Sequence, residues 1–198
     1  MTKKRGIVIA ASVVCWLIAV VSAFGALLKY SSRPGEARAP DATAPAVIAS
    51  LQHPGRALLI MVVHPRCPCT TASLDEMGDL LARVPPGCDT VLLRYTAKDW
   101  PAGPATAQVG PAVVRVVADL DGAMAARLGA FTSGHCVLVD AKGVIRFYGG
   151  LTLSRGHRGR SPAQDTILAI LAGHDFPLRS TPVYGCSLTS PCGTTNTL

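Results

Sequence analysis

Aromatic residues make up only 5% of this 198-residue chain, and charged residues only 16%. Acidic residues are the scarcer charge: 12 Asp and Glu stand against 19 Lys and Arg, for a net charge of +7. A nucleic-acid-binding surface needs basic residues clustered on a folded face and interleaved with aromatics. The aromatics are missing, and the positive charge is not spread over the chain. Residues 1–40 hold Lys3, Lys4, Arg5, Lys29, Arg33 and Arg38 against Glu36 alone, whereas the remainder is nearly balanced. Nucleic acid is therefore not expected as a partner. The shortage of charge, with 49% hydrophobic residues, also excludes a disordered chain. No internal repeat is present. No pair of Cys or His residues has zinc-finger spacing, so a structural zinc site is a weak reading.

The longest uncharged stretch runs from Gly6 to Leu28. At about 1.5 Å per helical residue it spans a hydrocarbon core of roughly 30 Å with some tilt. Lys3, Lys4 and Arg5 precede it, and cytoplasmic flanks favour Lys and Arg. The expected arrangement is a single-pass anchor in a bacterial inner membrane, with the chain after Lys29 periplasmic or extracellular. A cleaved signal peptide is the competing reading, with Val21-Ser22-Ala23 as its cleavage site. The run exceeds the usual h-region of about 7–15 residues, which favours the uncleaved anchor. Cys15 lies inside the run after Val14 and reads as an ordinary apolar cysteine. The organisation expected from sequence is a basic tip and signal anchor over 1–28, a Pro/Ala-rich linker over 29–46, a folded domain over 47–176, and a Cys-containing tail over 177–198.

Within the domain, 57–63 (ALLIMVV) is a continuous apolar run, as for a strand buried on both faces. After His64-Pro65-Arg66, a helix is expected to open at Cys67-Pro68-Cys69, with Pro68 at its first position and Leu74, Met77, Leu81 and Val84 on one face. Strands follow at 91–95 and 113–118, separated by a Pro/Gly/Ala-rich connection to about 111. A short helix over 121–128 ends at Gly129. Strands at 136–139 and 144–148 make a hairpin about Asp140-Ala141-Lys142-Gly143. Ser161-Pro162-Ala163-Gln164 reads as a capping box opening the last helix, closed by Gly173. Alternating strands and helices with a late hairpin give an α/β fold with a mixed sheet flanked by helices.

Cys67 and Cys69 carry the chemistry. A helix N-terminus presents unsatisfied N–H groups and a partial positive charge, which favour thiolate over thiol. Arg66 adds the same sign of effect. Two thiols one residue apart close only a small, strained disulfide ring, which is easily reduced. The pattern points to a dithiol exchanging with exported protein thiols or disulfides, with no cofactor. Cys67 is the attacking thiolate, Cys69 its local partner, and Cys186 a resolving thiol. The alternative is copper or zinc binding or assembly through the soft sulfurs of Cys67 and Cys69, completed by His157 or Cys186. A third reading is a redox-inactive adaptor. His64 is an acid–base group or a strand-end residue satisfied by backbone. The loop 155–160 (RGHRGR) reads as a solvated basic loop, with docking of an anion or shielding of the dithiol as its functional alternative. Cys88 and Cys136 read as structural. Cys186 and Cys192 pair with each other, or one of them reaches Cys67.

These segments resemble the thioredoxin superfamily, and within it the small membrane-anchored proteins called RedB-like. The resemblance covers about two thirds of the chain, from Leu58 to Gly173. It is carried by His64-Pro65-Arg66-Cys67-Pro68-Cys69-Thr70, by Val117-Ala118-Asp119-Leu120-Asp121-Gly122, by Thr132-Ser133-Gly134, by Gly149-Gly150 with Arg155-Gly156-His157, and by Thr181-Pro182-Val183-Tyr184-Gly185-Cys186. It implies a thioredoxin-like domain with a redox or redox-derived function. Two departures stand out. The family's redox members carry C-x-x-C, and this chain has C-x-C. They also carry a cis proline beside the cysteines, where this chain reads Thr132-Ser133-Gly134-His135. That absence weakens the oxidoreductase reading and strengthens the metal one. Nothing before Cys67 fits the peroxiredoxin pattern.

Overall fold

The structure is a computed structural model that describes residues 2–41, 44–101, 103–174 and 176–189. The chain divides into two units, residues 1–33 and 34–198. The first is helix α1 (Thr2–Ser32), which is long and apolar enough to cross a membrane.

The second unit is built on a six-stranded mixed sheet. Its strands are β1 (Ala57–Val63), β2 (Cys88–Thr96), β3 (Thr106–Val109), β4 (Ala112–Leu120), β5 (His135–Val139) and β6 (Ile145–Gly150), in the order β3-β4-β2-β1-β5-β6. β1, β2 and β4 run parallel, while β3, β5 and β6 add antiparallel pairs. The helices are α2 (Ala44–Leu51), α3 (Thr70–Leu81), α4 (Ala123–Arg127) and α5 (Pro162–Leu171). The βαβ unit β1-α3-β2, the hairpin β5-β6 and helices on both faces make the fold thioredoxin-like.

The run in β1 is continuous because both faces are covered. Leu58, Ile60 and Val62 point to one face, where they pack with Val47, Ile48 and Leu51 of α2 and with Leu128 after α4. Leu59, Met61 and Val63 point to the other, where Met77 and Leu80 of α3 and Ile167 of α5 meet them around Phe147. The two-residue side-chain period of a strand thus feeds two cores at once. α3 lies close against the β3–β4 turn: a Cβ on Gly78 would come within 2.9 Å of the Gly110 backbone.

Four local expectations are corrected. α3 begins at Thr70 rather than Pro68, after a turn closed by Thr70 N–H donating to the Cys67 carbonyl at 3.1 Å. The connection before residue 111 contains β3, an edge strand paired with β4. The Ser161 side chain caps nothing, and its hydroxyl is buried without a partner. Gln164 faces α3 instead, donating to the buried Glu76 carboxylate and accepting from Arg83 at 2.7 Å. The stretch just before the sheet and the one after α5 are also held to the domain. Gly35 N–H donates to the Val183 carbonyl at 2.8 Å, and Arg38 N–H to the Gly129 carbonyl at 2.9 Å.

Candidate functional site

β1 ends at Val63, and the chain turns there through His64 to Cys67 to enter α3. Cys67 N–H donates to the His64 carbonyl at 3.0 Å, and Ser73 N–H to the Cys69 carbonyl at 3.3 Å. The two cysteines thus occupy the turn that leads into the helix. Cys88 opens β2 opposite Ala57, at the other end of the parallel strands. The site therefore lies at the carboxyl ends of these strands, where open α/β sheets present their working residues.

Ser133 locks this end together. Its hydroxyl accepts from His64 N–H at 2.9 Å and shares a hydrogen bond with Thr70 Oγ1 at 2.8 Å. A serine in the loop before β5 thereby ties the end of β1 to the start of α3. His64 is buried, its Nδ1 accepts from Arg66 N–H at 3.2 Å, and its ring lies 5.1 Å from Tyr95 and 5.6 Å from Trp100. Burial, and then the Arg66 charge, hold its pKa below the ordinary value. Its Nδ1 thus takes a backbone N–H, in line with the reading of a strand-end histidine satisfied by backbone.

Residues 180–188 form a strap across the site. Thr132 and Ser187 make an antiparallel bridge. Ser133 N–H donates to the Cys186 carbonyl at 2.9 Å, and Leu188 N–H to the Phe131 carbonyl at 2.9 Å. This pairing sets Cys186 on Cys67: its backbone N–H donates to Cys67 Sγ at 3.3 Å, and its thiol hydrogen-bonds the same sulfur. Cys67 is buried as a result.

The environments push the two thiols of the C-x-C pair apart. For Cys67, burial raises the pKa, but hydrogen bonds from the Cys186 thiol and N–H, the Thr70 hydroxyl and the Cys69 N–H outweigh it, and the thiol lies below its ordinary value. For Cys69, burial and the Cys67 charge raise the pKa against the Arg155 guanidinium. The structure so distinguishes a thiolate-prone sulfur from a protonated neighbour.

Arg66 does not play its expected part. Its guanidinium lies 4.2 Å over the Trp100 ring, and hydrogen bonds do the work on Cys67. Arg155, in a loop read as solvated with docking of an anion or shielding of the dithiol as its alternative, is a member of the site: it is half-buried, stands beside Cys69 and donates to the Gly185 carbonyl. The rest of that loop faces solvent, with Arg158 paired to Asp75 at 3.3 Å. His157 is exposed there, its N–H donating to the Ser154 carbonyl at 3.2 Å. Among the described residues no group of three or more His, Cys, Asp or Glu is placed to hold a metal ion. Cys88 is pushed up to about 11 by burial and Asp89. Cys136 is fully enclosed, and burial pushes its thiol up. Cys192 lies outside the described residues.

Thr70, Trp100 and Ser133 are the members that sequence reasoning missed. Ser133 had a signal, since it lies in Thr132-Ser133-Gly134, one of the segments that carry the resemblance drawn from the sequence. Trp100 had none, because it comes from the loop between β2 and β3.

No protein-family pattern matches the chain. No curated protein matches it either. Among solved structures, an uncharacterized conserved protein from Geobacillus kaustophilus is 18% identical over 83% of this chain and 92% of its own, with a TM-score of 0.55. A hypothetical protein from Sinorhizobium meliloti 1021 is 19% identical over 83% of this chain and 96% of its own, with a TM-score of 0.51. A secreted Mycobacterium tuberculosis disulfide oxidoreductase homologous to E. coli DsbE is 18% identical over 63% of this chain and 85% of its own, with a TM-score of 0.40. The first two are likenesses of fold.

Proposed function

We propose that this chain is a membrane-tethered, RedB-like protein of thioredoxin fold that exchanges thiols and disulfides with exported partner proteins. α1 is its tether, and the domain after it works on the periplasmic or outer side. The observation that carries the reading is the seating of Cys67, whose sulfur receives the Cys186 N–H at 3.3 Å and the Cys186 and Thr70 side chains. A sulfur so surrounded gives up its proton more readily than an ordinary thiol, and the thiolate is the attacking form in exchange.

In the exchange, the Cys67 thiolate attacks one sulfur of a partner disulfide. That S–S bond breaks, and the released partner sulfur leaves as a thiolate and takes up a proton. The Cys186 thiol then loses its proton and attacks the Cys67 sulfur of the mixed disulfide. The partner's second thiol departs, and a Cys67–Cys186 disulfide remains. The partner gains two electrons and two protons; this chain supplies both electrons and the Cys186 proton, and the second proton comes from solvent. Run backward, the same steps oxidise a partner dithiol. Both Cys69 and Cys186 hydrogen-bond Cys67; Cys186 resolves because it closes a long loop rather than a very small, strained ring.

The test equilibrates the detergent-solubilised full chain in glutathione redox buffers, quenches with acid and maps thiols by mass spectrometry, with metal analysis on the same sample. The expected result is a reversible disulfide joining Cys67 to Cys186, absent in Cys67→Ser. Copper or zinc bound to the protein and lost in Cys67→Ser would replace exchange with metal handling. No metal and no change in thiols would leave a redox-inactive adaptor.

A further inference from the structure

Three stretches of chain meet around the strap and bond to one another in pairs. Residues 35–38, which follow α1 after Arg33 and Pro34, pair with residues 129–132. The Ala37–Ala130 bridge is antiparallel, and Arg38 N–H donates to the Gly129 carbonyl at 2.9 Å. The strap pairs with the same stretch through the antiparallel Thr132–Ser187 bridge. Gly35 N–H closes the set by donating to the Val183 carbonyl of the strap at 2.8 Å. Thr132 stands where the three meet. It is buried, and its hydroxyl donates to the Glu36 carbonyl at 2.7 Å. A Cβ on Gly35 would run into the Thr132 hydroxyl and come within 2.6 Å of its Cγ2. Gly35 is not among the glycines with positive φ, so space rather than backbone conformation demands glycine there. The Arg38 guanidinium lies 4.8 Å over the ring of Phe131, whose carbonyl accepts from Leu188 N–H.

We infer that residues 35–38 are a positioning clamp for Cys186: they fix Val183 directly and Ser187 through Thr132, the two supports on either side of the cysteine, and so hold its thiol at the Cys67 sulfur. This rests on the exchange proposed above and adds the part that governs its second step. In that step Cys186 attacks a sulfur of its own chain, so the rate follows from how closely the attacking group is held to its target. Gly35 touches neither cysteine and acts through Val183 and Thr132. A side chain at position 35 must push Thr132, and Ser187 with it, or withdraw from Val183; either movement shifts Cys186. The stretch that the sequence presents as a linker thus carries part of the geometry of the site.

The experiment mixes the reduced, detergent-solubilised full chain with dithiobis-nitrobenzoate and follows the coloured thionitrobenzoate anion. The Cys67 thiolate attacks one sulfur of the reagent, the S–S bond breaks, and one anion leaves. The Cys186 thiol then loses its proton to solvent and attacks the Cys67 sulfur. The second anion departs, and the Cys67–Cys186 disulfide remains. The first release is the phase missing in Cys67→Ser, and the second is the phase missing in Cys186→Ser. In Gly35→Ala the ratio of second to first rate is expected to fall at least about tenfold, on the scale that a small misplacement of reacting groups sets. Thr132→Val keeps the shape of the side chain and deletes its bond to the Glu36 carbonyl, and should lower the ratio by a smaller factor. A merely structural role would lower the urea midpoint of a variant and leave the ratio alone. Where Gly35→Ala does not fold, Thr132→Val decides. A ratio unchanged in either folded variant would overturn the clamp and leave exchange standing. A parent that lacks either release would remove the exchange itself, and the inference with it.

Discussion

His135 is fully enclosed at the start of β5, and neither of its ring nitrogens has a hydrogen-bond partner. Its ring stacks on Tyr148 with centroids 6.4 Å apart. Burial pushes its pKa down to about 4. In the unfolded chain an imidazole titrates near about 6.5, so protonation favours unfolding. The neutral ring's contribution is fully present above that pH and is lost as pH falls toward 4. The urea midpoint of the domain is expected to drop across this window and to flatten in His135→Leu; a variant with the same slope as the parent would place the acid sensitivity elsewhere. At Cys67 the sign is the same for a different reason. Its thiolate is held by hydrogen bonds, one of them from the Thr70 hydroxyl. Thr70→Val removes that donor, so the thiolate absorbance of Cys67 should titrate at higher pH in the variant than in the parent. The pair of cysteines at a strand–helix junction was legible from C-x-C spacing after an apolar run. Of the groups that tune it, Cys186 was legible as a resolving thiol and Arg155 only within a loop whose second reading is shielding of the dithiol; Ser133 was not named, because it comes from a loop whose local sequence has no periodic signal.

At the scale of elements, the strands declare themselves where both faces are covered, since a doubly buried strand is a continuous apolar run. β1 is the clear case, with its two cores in alternate register. β3 stayed hidden because it is four residues long, sits at an edge and alternates buried with exposed positions in a Pro/Gly-rich setting. The Ser161–Gln164 pattern failed for a different reason: a tertiary partner outcompeted the local one. Glu76 is buried on α3, and its carboxylate takes the side chain of Gln164 on α5 and the N–H of Gly159 in the loop between. Arg83 closes the set on Gln164 at 2.7 Å. This cluster fixes α5 and the Arg155 loop to the helix that the cysteines lead into. Glu76→Ala leaves the buried Gln164 amide without its carboxylate partner and should cost about 2 kcal/mol, read as a lower urea midpoint. A loss within about 0.5 kcal/mol, the level of an ordinary surface change, would mean that the cluster holds nothing.

On the scale of the whole molecule, the division at residue 33 separates an apolar helix from a domain with its own two-sided core. Removal of residues 1–33 should yield a detergent-free, folded domain whose thermal midpoint matches that of the full chain in detergent. A fragment that aggregates or melts much earlier would show that the helix supports the fold. The apolar helix was legible because its signal is composition and length. The strap was not, because its register depends on pairing Cys186 with Cys67, 119 positions earlier.

That separation also sets an order in time. Every other member of the site precedes the strap along the chain, so synthesis delivers the reactive sulfur first and its cover last. With 119 positions between Cys67 and Cys186, translation at about 5–20 residues per second leaves an interval of roughly 6–24 s. During that interval the cysteines of its own chain already made are Cys15, Cys69, Cys88 and Cys136. Covering Cys67 thus comes after every other member of the site has been made, and the uncovered sulfur is open to any oxidant at hand until then.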